Sequence, residues 1–206
     1  MNGVWSAPIA WVGRSALETA AGFGQFGLGH HEPGVRLACR AEFVALLDHD
    51  DEGSLGVVLN RPSPVPVGDI LHDWDDLVAE PGVLFHGGPV ATDSALAVAS
   101  LPAGQDPDGD PVGFRRLFGD TGIIDLDTPT ELLDDAISRM RIFAGYAGWG
   151  DGQLVAEIEE GSWYVVPVES GDVFGASPDG LWARVLRRQP GELAWVSTRP
   201  ADPTLN

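Results

Sequence analysis

The 206-residue chain contains no lysine. All 12 basic residues are arginine, against 31 Asp plus Glu, for a formal net charge of −19. The missing lysine excludes a lysine Schiff base and a phosphate-loop lysine. The acidic excess opposes unaided contact with nucleic acid or an anionic membrane, because phosphates need a basic face. Cys39 is the only cysteine, so no intrachain disulfide can form, which fits a reducing cytosol. No His–Asn signature surrounds it, and it reads as incidental. Asparagine occurs only at 2, 60 and 206. Absent lysine and scarce asparagine fit a bias toward GC-rich codons better than any special arginine chemistry. No run of 18 apolar residues exists to span a bilayer. Met1–Trp11 is apolar but short, and Arg14 follows it, so the pattern is not that of a secretory signal. The expected location is cytoplasmic.

What is present can build a core: 44% of residues are hydrophobic and 21% charged. Residues 1–40 hold seven glycines without clean periodicity and are expected to be divergent and poorly ordered, with a short helix at 15–21. Residues 41–198 read as the domain and 199–206 as a tail. Glu42–Leu47 and Leu55–Leu59 are apolar runs of strand length joined by an acidic turn, which predicts a hairpin buried on both faces. Val67–Val78 places Val67, Ile70, Leu71, Trp74 and Leu77 at helical spacing. Strands are expected at 83–85, 95–99, 122–126, 141–144 and 163–168. Residues 101–113 read as a surface loop. Asp127–Glu131 carries capping and first-turn signals for a helix running to Met140. Gly145–Gly152 reads as a turn, Gln153–Glu160 and Leu181–Arg188 as helices, and Glu192–Ser197 as strand-like. Alternating strands and helices define an α/β (mixed α+β) class, a compact sheet flanked by helices.

Several motifs compete with plain structural readings. Gly22-x-Gly24-x-x-Gly27 matches a dinucleotide fingerprint, but no strand precedes it and no helix follows. Asp48, Asp50 and Glu52 imitate a calcium loop whose twelfth position would be Leu59, which cannot ligate. The five histidines, at 30, 31, 49, 72 and 86, show no metal-ligand spacing, and neither a metal nor a cofactor is expected. His86-Gly87-Gly88-Pro89 puts a histidine at a strand-to-turn position, beside glycines whose N–H groups could meet an anion or another backbone. Gly145–Leu154 mixes Tyr146 and Trp149 with four glycines directly before a helix start. The rings offer stacking area to a ligand, or they simply pack into the core.

Four ordered blocks over residues 43–188 together resemble the AlgH/YqgE family of bacterial proteins. They are Leu46–His49 with Gly53–Pro62; Gly87–Val90; Gly145–Trp149 with Gly152–Leu154 and Glu157-Ile158; and Ser162-Trp163 with Phe174–Trp182. Gly34–Ala41 departs from the family's usual segment there, a strand ending in Pro followed by an Asp-Pro-x-Phe-like stretch. The resemblance implies a compact mixed α/β fold of cytosolic type and no established activity. Some relatives carry a transcriptional-regulator label, although no helix-turn-helix is readable here and the charge opposes DNA contact.

The leading expectation is a non-catalytic binding or regulatory protein with no catalytic residues. Its pocket would be lined by Asn60, Arg61, His86, Gly87, Gly88, Tyr146, Trp149 and Gln153, with Arg61 pairing a small anionic ligand and Asn60 hydrogen-bonding it. One alternative is an enzyme acting on a small anionic molecule, with His86 as acid or base and Glu157 or Asp151 orienting it. Another is a module, or a regulator acting through a protein partner, that uses exposed tryptophan on an acidic surface to meet a basic protein. Direct DNA binding is the weakest reading.

Overall fold

The computed structural model describes the backbone of residues 9–13 and all of residues 42–105, 109–133 and 135–198. Ten strands lie in chain order: β1 Ile9–Gly13, β2 Phe43–Asp50, β3 Gly53–Val58, β4 Pro62–Pro66, β5 Val83–His86, β6 Val90–Ser100, β7 Phe114–Phe118, β8 Thr121–Ile124, β9 Arg139–Gly150 and β10 Trp163–Pro167. The helices are α1 Gln153–Glu159, α2 Ser170–Val173, α3 Leu181–Arg187 and α4 Glu192–Val196. The main sheet runs β10-β1-β2-β3-β9-β6-β8-β7, with neighbours antiparallel. β5 pairs with β9 in parallel and with β4 antiparallel. Within residues 1–40, the stretch 9–13 lies between β2 and β10. The expected helix at 15–21, the glycine pattern at 22–27, His30, His31 and Cys39 lie outside the described residues.

The sheet is buried on both faces, and strand alternation sorts its residues. Phe43, Ala45, Val57, Leu59, Val98 and Phe143 face one cluster, closed by Val185 and Leu186 of α3. Ala97, Ala99, Met140 and Ile142 face a second, with Val67 and Trp74. Val44, Val58, Ala147 and Trp149 face a third, closed by Leu154 of α1. The expected hairpin forms as β2–β3, with β2 running on through Asp48, His49 and Asp50.

Four local expectations are corrected. The stretch 67–78 is two 3-10 helices, Val67–Asp69 and His72–Leu77, because Leu71 leaves the helical region (φ −127°, ψ 70°). Val67 and Trp74 are buried, but Ile70 is 60% exposed. The expected helix to Met140 shrinks to a 3-10 turn, Thr130–Leu132. Asp135 takes a left-handed φ of 64°, and Met140 is drawn into β9 against Ala99. Residues 145–150 continue β9 as strand instead of turning, held by β3. Residues 192–196 form α4 against α3, not a strand. Strands β1, β4 and β7 and helix α2 are not among the elements expected from the sequence.

Arg141 is a cation inside this core, 1% exposed. Its guanidinium donates to the carbonyls of Val173 (2.5 Å), Glu80 (2.9 Å) and Gly175 (3.0 Å) and stacks over Phe85 at 4.2 Å. It therefore ties β9 to the end of α2 and the chain just beyond it, and to the loop before β5. Burial pushes its pKa down from 12.5 to about 10. A base whose folded pKa is lowered gives the fold a cost that is constant below that value and is relieved only as pH rises through it. Replacing Arg141 by Met removes this cost but strands three carbonyls. The expected net loss is about 2 kcal/mol. Urea unfolding should give the same loss at pH 6 and pH 9, since Arg141 stays charged across that range. A variant as stable as the parent would show that the carbonyls do not need the guanidinium.

Candidate functional site

Three segments distant in sequence meet at the bend of β9. The His86 N–H donates to the Arg61 carbonyl (2.8 Å), the Gly87 N–H to that of Ala144 (2.9 Å), and the Val58 N–H to that of Gly87 (2.9 Å). A Cβ on Gly87 would lie 2.2 Å from the Gly145 carbonyl oxygen, and one on Gly88 2.2 Å from the Tyr146 carbonyl carbon. These glycines let two backbones cross at a distance no side chain permits. Gly145 itself takes φ 69°, where glycine is favoured. The junction thus joins Arg61, His86, Gly87, Gly88 and Tyr146. The Arg61 and His86 side chains are exposed, Tyr146 is half-buried and Gly87 is buried. Arg61 pairs with Glu42 at 2.9 Å. At 47% side-chain exposure, that pair contributes little stability and leaves guanidinium donors facing solvent.

The other three expected residues have different partners. Asn60 is buried, and its Oδ1 accepts the Phe43 N–H (3.0 Å), which fixes the start of β2 against the end of β3. Trp149 and Gln153 belong to a cluster around Glu157. Strand residues three apart project to opposite faces. Tyr146 accordingly packs on the cluster under α3, and Trp149 on the one under α1. Two aromatics close in sequence are separated by the thickness of the sheet.

Glu157 is a hub that sequence reading cast only as an orienting acid. Its Oε2 accepts from Trp149 Nε1–H (3.1 Å) and Trp163 Nε1–H (2.8 Å), and its Oε1 from Gln153 Nε2–H (3.0 Å). Gln153 in turn accepts the Gly150 N–H (3.1 Å). The two indoles stand edge to face, 6.0 Å between centroids. One carboxylate on α1 therefore clamps β9 to β10. The spacing Trp149, Gln153, Glu157, Trp163 was visible in sequence, but not that both rings would turn to the same side. With both oxygens engaged, Glu157 does not orient His86, and among the described residues His86 has no hydrogen-bonded acid. At the β2–β3 hairpin, His49 Nδ1 and Ser54 Oγ hydrogen-bond at 2.8 Å. Among the described residues no group of three or more His, Cys, Asp or Glu is placed to hold a metal ion. No helix among them is long and apolar enough to cross a membrane.

A mixed α/β chain whose antiparallel sheet is stitched by one long bent strand, with a glycine crossing at the bend, defines the class. The family model described as AlgH-like matches residues 40–194, and the chain belongs to that family. It is 62% identical to a UPF0301 protein of Streptomyces avermitilis, over 79% of this chain and 84% of the relative. A UPF0301 protein of Mycobacterium tuberculosis is 44% identical over 81% and 82%. Among solved structures, a crystal structure of a Corynebacterium diphtheriae protein is similar at TM-score 0.76 and 28% identity, covering 94% of this chain and 92% of that one. The solution structure of the AlgH protein from Pseudomonas aeruginosa shares the fold at TM-score 0.61 and 18% identity, covering 97% of each chain.

Proposed function

We propose that this AlgH-like protein is a non-catalytic binding protein whose contact face is formed by Arg61 and His86. The carrying observation is the junction at the bend of β9. Three separate segments are hydrogen-bonded together there, and Arg61 and His86 at that junction are exposed to solvent. Rigid backbone beneath exposed polar side chains lowers the ordering cost of binding. The face suits an anionic group on a small molecule, with Arg61 as its charge partner. A regulatory role would run through a protein partner in the cytoplasm, because a charge of −19 repels DNA. A thermal-shift screen across metabolites, nucleotides and divalent ions tests the reading. A true ligand at about 100 times its Kd should raise the melting temperature by about 5 °C or more. Arg61→Ala and His86→Ala, both at exposed positions, should fold normally and lose that shift. A hit that stabilises both variants as well as the parent would overturn the assignment.

A further inference from the structure

We propose that Arg139 anchors a second site, a cavity that takes a small monocarboxylate with a short apolar body. The cavity, of about 450 Å³, lies where the β10–α2 link passes the ends of β6, β8 and β9. That volume is within the range of small-molecule pockets. Ser100 of β6 pairs with Arg139 of β9 on one side and with Thr121 of β8 on the other. Directly paired residues of antiparallel strands project to one face. The guanidinium and two hydroxyls therefore share a wall, the Ser100 hydroxyl donating to the Leu101 carbonyl (3.2 Å), and Ser138 and Ser170 add two more hydroxyls.

The charge pattern carries the argument. Arg61, Arg115, Arg116 and Arg188 each hold a carboxylate. Among the described residues the side chains of Arg139 and Arg187 have no hydrogen bond or ion pair, and of the two only Arg139 lines the cavity, in a chain where acids outnumber bases 31 to 12. Asp120, the acid in the cavity wall, is engaged by Arg116 at 3.4 Å. Two residues along the same strand face, buried Arg141 is held by carbonyls alone. In the cavity wall the acid is already engaged and the cation is not, so the charge partner for an anion there is Arg139. Leu101, Phe118 and Val168 line the remainder and suit an apolar body. The net charge favours a monoanion, since a phosphate dianion would double the long-range repulsion.

This site is separate from the Arg61–His86 face: His86 pairs with Ala144 of β9, five steps along the strand from Arg139, about 17 Å. The test is amide NMR of the full chain at low salt, titrated with butyrate, butyramide and inorganic phosphate. Butyrate should produce saturable shifts at Ser100, Thr121, Arg139 and Ser170. Arg139→Gln should weaken it at least about tenfold, the scale of one charged hydrogen-bonding group. Because Arg139 is exposed, that variant should keep the parent's dispersed spectrum and melting temperature. Arg139→Lys should bind with intermediate strength. Absent saturation by butyrate, equal response to uncharged butyramide, tighter binding of phosphate, or unchanged affinity in Arg139→Gln would each overturn the proposal. Shifts confined to Arg61 and His86 would overturn it while leaving the first face standing.

Discussion

Replacing Glu157 by Ala should cost about 2–4 kcal/mol of stability, because it leaves two buried indole N–H groups without their acceptor. Trp149 and Trp163 are 7% and 5% exposed, so water reaches their ring nitrogens poorly. The same change releases Gln153 from Glu157 at the first turn of a helix only seven residues long. Such a helix depends on tertiary anchoring. Glu157→Gln keeps an acceptor oxygen for the indoles but sets an amide donor against Gln153, so it should lose about half as much. Urea unfolding followed by tryptophan fluorescence reads both. The alanine variant should also lose near-ultraviolet dichroism as the crossed rings loosen. A loss below about 1 kcal/mol would mean that the carboxylate is not the clamp joining β9 to β10.

Gly87→Ala should be at least as damaging, about 3 kcal/mol or more, at the top of the range for overpacking. The added methyl would sit 2.2 Å from the Gly145 carbonyl oxygen and 2.9 Å from Phe143 Cβ. Neither is the far end of a flexible side chain, so relief requires moving β5 off β9. That motion would strain the bonds from Gly87 to Ala144 and from Val58 to Gly87. Gly82→Ala is the control, since its Cβ would meet nothing within 4 Å, and it should change stability by under about 0.5 kcal/mol. Denaturant midpoints of the two variants decide the matter. If both are near the parent, the tight crossing is wrong and the Arg61–His86 face built on it loses its support.

Legibility in the sequence varied with the kind of signal. The β2 and β3 runs were readable because residues buried on both faces leave an unbroken apolar stretch. α1 and α3 were readable because their apolar positions recur at helical spacing and glycine lies at their ends. Strand β7, Phe-Arg-Arg-Leu-Phe, was not, since two arginines at its centre hide the period. β4, Pro-Ser-Pro-Val-Pro, was hidden because proline argues against a strand except at an edge. Of the expected face, Arg61, His86, Gly87, Gly88 and Tyr146 belong to segments whose backbones meet at the junction. Trp149 was grouped with Tyr146 because the glycines between them imitate a turn.

The sequence by itself determined the acidity, the absence of lysine chemistry, the AlgH-like blocks and the apolar strands that must lie inside. Only the tertiary structure decided that β9 runs unbroken through its glycines, that Tyr146 and Trp149 face opposite ways, and that Arg141 is buried while Arg139 is not. The reason is that a strand's path and the surroundings of its side chains depend on partners far away in the chain. Ala144 and Tyr146 are set by β5 and β6, Trp149 by β3 and α1, and no local pattern encodes those pairings.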